Sequence, residues 1–278
     1  MNFPQYWALG KSRSAWVWRW SSHSLAEAQS LANQAAHELA AKFSGGNFPN
    51  GRGVYYPNRP FREQLLQEIK NAHGEIRAVV TRNSYGCQVL NTAGIMFVDI
   101  DLPEPKSGGL FQKLFGKPAG PVSPTKAETE AVLKIEAWTR QNSEWGWRIY
   151  RTRAGLRLMA TQAPVAPDSE TADRVFAALG ADTLYRQLCK NQKCFRARLT
   201  PKPWRCGIRR KPERWPWQDS EREKRFQKWD AQYQSFAAGW ATCHFIRHIG
   251  NPTIHDEVQW LLRAHDGPTR VESKLQLA

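Results

Sequence analysis

The 278-residue chain contains no apolar run of about 18 residues or more, the length that a membrane-spanning helix needs. Met1 to Trp20 lacks the continuous apolar stretch of a secretory signal, so a cytoplasmic protein with no membrane partner is expected. Cysteine is scarce: Cys87, Cys189, Cys194, Cys206 and Cys243 are odd in number and too few for a disulfide framework, which agrees with a reducing compartment. No Gly-x-Ser-x-Gly elbow, Walker loop or dinucleotide fingerprint is present, which argues against the common hydrolase, P-loop and Rossmann chemistries. Acid is also short, with 25 Asp and Glu against 40 Lys and Arg and a formal net charge of +15.

That positive charge is concentrated. Between Arg186 and Arg214 lie eleven Lys or Arg residues and a single acid, Glu213. A second knot comprises Arg148, Arg151, Arg153 and Arg157. Such clusters are the electrostatic footprint of a polyanion, nucleic acid or nucleotide phosphate, whereas an ordinary solvated face intersperses both signs. Tryptophan is abundant, with thirteen. Trp16, Trp18 and Trp20 alternate and so share one strand face, while Trp204, Trp215 and Trp217 interleave with the basic segment, where indoles can stack on bases. Most tryptophans nevertheless serve as core.

Against this background, Phe97-Val98-Asp99-Ile100-Asp101 stands out. In a strand Asp99 and Asp101 face one way and Val98, Ile100 and Leu102 the other. Paired carboxylates hold hard cations such as Mg²⁺ or Mn²⁺ together with substrate phosphates. The alternative is a plain strand end, since Leu102-Pro103-Glu104-Pro105 reads as a turn.

The remaining pattern predicts an α/β (α+β) fold with a mixed, largely antiparallel sheet flanked by helices. After the Trp-rich strand, Ser24-Leu25-Ala26-Glu27 opens a helix; Asn47 to Pro60 reads as a loop and Phe61 to Ala72 as a second helix. Ile76–Thr81, Cys87–Leu90 and Ile95–Asp101 read as a three-stranded meander, and Pro103 to Pro124 as a surface loop. A helix from Thr125, a hairpin about Arg153-Ala154-Gly155, helices over Asp168–Leu179 and Asp182–Lys190 and a strand over Phe195–Leu199 follow. Ser220 to Ala237 reads as a helix, Ala241 to His248 as a strand with His244 and His248 on one side, and Ile254 to Ala264 as a last helix. One domain is expected, with an N-terminal part (1–75), a core (76–205) and a basic, helical extension (206–278).

The order of these parts resembles the catalytic core of the archaeo-eukaryotic primase superfamily. Its apolar strand ending in Asp-x-Asp maps onto Phe97 to Asp101, its Gly-containing hairpin onto Arg151 to Leu158, and its basic element onto Arg196 to Lys202. The resemblance implies a primase/RRM-like core and a metal-dependent nucleotidyltransferase acting on a single-stranded DNA or RNA template with nucleoside triphosphates. It further implies Mg or Mn on Asp99 and Asp101, Arg157 beside them as a catalytic group, and Arg151, Arg153, Arg196, Arg198, Lys202, Arg205, Arg209 and Arg210 on triphosphate and template. Two departures are visible: the family's histidine is replaced here by Arg157 or Arg153, and the third acid has only Asp182 as a candidate, which also suits a helix N-cap. No helicase segment is visible, which leaves strand separation to a helicase or replication partner.

Other chemistry is thinner. Zinc on Cys189, Cys194 and Cys206 with Cys243 or His244 would lack a Cys-x-x-Cys knuckle, so unligated cysteines are expected. His255, His265 and Asp266 could form a relay, but the helix assigned there favours solvent-exposed polar residues instead. The competing functional readings are an inactive nucleic-acid-binding protein on a primase-like fold, a metal-dependent nuclease, and a glycosyltransferase, the last disfavoured by charge.

Overall fold

The computed structural model describes residues 1–44, 59–71, 73–103, 124–210 and 212–278. Strands β1 (Tyr6–Lys11) and β2 (Trp16–Ser21) form an antiparallel hairpin. Helix α1 (Leu25–Ser44) follows, started by the Ser24 hydroxyl, which accepts a hydrogen bond from the Glu27 amide at 3.1 Å. Its alanines Ala28 and Ala32 pack on Ala8, and the approach is so close that a Cβ on Gly10 would lie 1.9 Å from the Ala32 carbonyl oxygen. The register pairs Trp7 with Trp20, Leu9 with Trp18 and Lys11 with Trp16, so the indoles occupy the face opposite α1.

The next elements are β3 (Gln64–Lys70), β4 (Ile76–Arg82), β5 (Gln88–Thr92) and β6 (Phe97–Asp101). Then come α2 (Lys126–Gln141), the hairpin β7 (Gly146–Thr152) and β8 (Gly155–Ala160), α3 (Glu170–Leu179), α4 (Thr183–Gln192) and β9 (Phe195–Arg198). The chain continues through α5 (Ser220–Ala237), β10 (Trp240–Ala241), β11 (Cys243–Gly250), α6 (Asp256–Thr269) and β12 (Gln276–Leu277). Two antiparallel four-stranded sheets, ordered β3-β4-β5-β9 and β11-β7-β8-β6, carry the architecture. Apolar residues of both sheets join those of α2, α3 and α6 in one core, including Leu90, Phe97, Ile135, Trp147, Phe176 and Leu261. The fold is mixed α+β with mostly antiparallel sheets, as expected. No helix among the described residues is long and apolar enough to cross a membrane.

Several expectations are corrected. Residues 64–70 are a strand, not a helix: the segment pairs with β4 as a sheet edge, where its charged residues meet solvent, and tertiary pairing overrides its helical propensity. The meander is broken after β5. There the Thr92 hydroxyl accepts from the Gly94 and Ile95 amides and turns the chain out of the first sheet, so that β6 pairs with β8 in the second. Boundaries near 75 and 205 cut through both sheets, because β3 belongs with β4 and β11 with β7. A β-bulge between Phe245 and Arg247 sets His244 opposite Arg151 and His248 opposite Arg148, on opposite sides of the sheet. Most of the expected loops over 47–60 and 103–124 lies outside the described residues.

Candidate functional site

On β6, Val98 and Ile100 are buried while Asp99 and Asp101 face the other way. Directly across the ladder on β8 stands Arg157, which donates from Nε to Asp99 Oδ1 at 2.8 Å and from Nη2 to Oδ2 at 3.2 Å. Its Nη1 donates to the Arg198 carbonyl at 3.0 Å, so this guanidinium joins the two sheets. Arg157 is 2% exposed, whereas the Asp99 side chain keeps 33% exposure. Burial would depress the Arg157 pKa, yet the adjoining Asp99 carboxylate holds it above the ordinary arginine value.

Asp101 is exposed and faces Gly155, where a Cβ would come within 1.9 Å of the Ile100 carbonyl oxygen. Glycine is therefore required for β8 to approach the aspartate strand. Partial burial, then the charges of Asp182 and Asp99, push the Asp101 carboxyl above its usual pKa, opposed by Lys202 and Arg205. Of the two roles the sequence offered, the structure shows Asp182 as the helix N-cap. Its carboxylate caps α4 by accepting from the Tyr185 amide at 2.7 Å, and its own amide donates to the Asp99 carbonyl at 3.1 Å.

A cleft of about 980 Å³ reaches down to Asp99 and Arg157, at the upper end of the range for small-ligand pockets. The outward residues of β9 line it. Arg196 is locked to Glu63, which Thr81 also supports with a 2.6 Å hydrogen bond. Arg198 differs: among the described residues no carboxylate lies within ion-pair distance of it, and its Nε is sealed from solvent without a partner. Burial, then the neighbouring Arg157, lowers the Arg198 pKa; burial, then Arg198 and Arg205, lowers that of Lys202.

The expected basic residues therefore divide. Arg157, Arg196, Arg198 and Lys202 line the cleft, and Arg205 lies close enough to bear on the charges of Asp101 and Lys202. Arg151 is turned to the other face of its sheet and bound to Glu128 of α2, which corrects its assignment to the substrate. Arg153 is exposed at the hairpin turn, and Arg209 and Arg210 are exposed beyond the short 3₁₀ turn of Pro203–Arg205. The cysteines are buried thiols that separate: Cys194 lies beside Cys189, and Cys206 near Cys87. Sequence reasoning missed Arg59, just before the misread helix, Arg62, inside it, and Arg82, which ties β4 to Asp230 of α5 at 2.6 Å while lining the cleft.

No group of three or more His, Cys, Asp or Glu side chains among the described residues is arranged to hold a metal ion by itself. Asp99 and Asp101 instead offer two carboxylates on one sheet face, a donor set that suits a hard cation completing its shell with phosphate oxygens. The two acids beside Asp101, Asp182 and Asp99, add negative charge that a cation would relieve. Compared with protein-family models, curated proteins and solved structures, the chain matches none.

Proposed function

We propose that the protein is a metal-dependent nucleotidyltransferase of primase-polymerase type that takes nucleoside triphosphates and a nucleic-acid template. The observation that carries this reading is the partly buried Arg198, a cation that has no acidic partner among the described residues, in the cleft that ends at Asp99. A desolvated, unpaired cation is unfavourable unless a ligand supplies the anion, and arginine suits a phosphate through paired N–H donors.

In this reading Arg198 and Lys202 bind the triphosphate, and Asp99 and Asp101 are the residues that would hold a Mg²⁺ or Mn²⁺. When bound, the metal supplies charge neutralisation on the transferring phosphoryl group and a more acidic attacking hydroxyl. Arg157 acts as a positioning residue rather than a catalytic one: its ion pair fixes the orientation of Asp99. The same ion pair favours a second reading, a binding-only relative, because Arg157 already neutralises Asp99.

The test incubates the protein with a single-stranded template, labelled nucleotides and Mn²⁺ or Mg²⁺, beside Asp101→Asn. Asp101 is preferred to Asp99 because it anchors no ion pair within 4.0 Å among the described residues. Metal-dependent products lost in the variant, with template binding retained, are expected. Tight template binding without products from the wild type would establish the binding-only reading instead.

A further inference from the structure

The wall of the cleft far from the aspartates has its own composition. The tryptophan face of β2 lines it, and Trp16 is 69% exposed, the most open large apolar side chain among the described residues. Lys11 Nζ lies 5.1 Å from the centre of that ring, and the Arg62 guanidinium covers the Trp18 ring at 4.0 Å. Arg59 and Arg214 line the cleft close to Arg62; burial first, then these two cations, draws the Arg62 pKa down to about 10. The described residues place no acid in ion-pair range of Arg59, Arg62 or Arg214.

Three uncompensated arginines beside an open indole satisfy two requirements at once. Repeating phosphates match the cations, and unpaired bases match the ring, because the faces of bases within a duplex are already covered by their neighbours. We infer that this wall is a strand guide: Trp16 stacks a base of a single-stranded nucleic acid while Arg59, Arg62 and Arg214 grip its backbone. The guide rests on the nucleotidyltransferase reading for its purpose, since it would lead the template toward the triphosphate site, but its binding is measured separately.

Fluorescence anisotropy of a labelled oligothymidylate with the full chain, titrated with salt, tests the guide. Trp16 and Arg214 are both exposed, so Trp16→Ala and Arg214→Glu leave the fold intact, as circular dichroism would check. Trp16→Ala should weaken binding about fivefold or more, and Arg214→Glu should weaken it while making the salt dependence shallower. Heparin, a polyanion without bases, should compete equally in wild type and Trp16→Ala. Wild-type affinity for the oligonucleotide in either variant overturns the inference. A fluorescent nucleoside triphosphate with Mn²⁺ is titrated in parallel. Its binding should be unchanged in both variants, and its failure to bind the wild type would count against the nucleotidyltransferase reading and not against the guide.

Discussion

Arg157 and Arg198 are neighbours in space with opposite situations. Arg157 spends Nε, Nη1 and Nη2 on Asp99 and the Arg198 carbonyl, whereas the Arg198 side chain has no acidic partner among the described residues. Removing one member of a buried pair strands the other. Arg157→Met should therefore cost about 3 kcal/mol, the low end of the usual range because Asp99 keeps some solvent. Arg198→Met deletes an unpaired cation and should leave stability unchanged, while nucleotide affinity falls roughly tenfold through loss of a charge-assisted contact. Urea denaturation and nucleotide titration of both variants check the contrast, and equal destabilisation by the two substitutions would contradict it.

At the scale of elements, the site depends on how closely strands can approach. The β7–β8 hairpin is tied to β6 through the Leu102 amide, which donates to the Ala154 carbonyl at 2.9 Å, and Gly155 lies against the Ile100 backbone. Gly155→Ala should push β8 away from β6, lowering stability by about 1–3 kcal/mol through overpacking and uncoupling Arg157 from Asp99. The readout is a lower thermal midpoint together with weaker Mn²⁺-dependent nucleotide binding. A variant with wild-type values for both would show that the ladder tolerates the extra carbon.

For the whole molecule, α6 is joined to the second sheet by a buried polar network. His265 is fully buried between the Phe97 and Tyr150 rings, and its Nδ1 meets Asp266 at 2.8 Å. Asp266 also accepts from Tyr150 at 2.9 Å and from Arg148 at 2.7 Å. Burial is the chief cause that lowers the His265 pKa, and it lowers those of His244 and His248 too. The folded state thus takes up protons at lower pH than the unfolded chain. Stability is full above the unfolded value of about 6.5 and declines as pH falls through the depressed folded pKa, by up to about 1.4 kcal/mol per pH unit for each histidine. Denaturation measured at pH 7.5 and 5.5 should show this loss, reduced in His265→Gln; equal stability at both values would refute it.

The sequence by itself determined what local chemistry determines. The capped starts of α1, α2 and α4, the Gly180 stop, the β7–β8 hairpin and the alternation that turns Asp99 and Asp101 to one face all follow from side chains within a few residues of one another. The basic tract around β9 was legible for the same reason. Only the tertiary structure decided which cations meet acids: Glu128 takes Arg151 and Glu63 takes Arg196 across 23 and 133 residues of sequence, and Arg198 is left over. It also decided the state of residues 64–70, whose pattern admits helix or strand until β4 supplies hydrogen bonds along one edge. Pairing partners distant in sequence leave no periodic trace near the residues they capture. The cleft, its unpaired arginine and its tryptophan wall therefore appear only once the two sheets and the N-terminal hairpin are folded together.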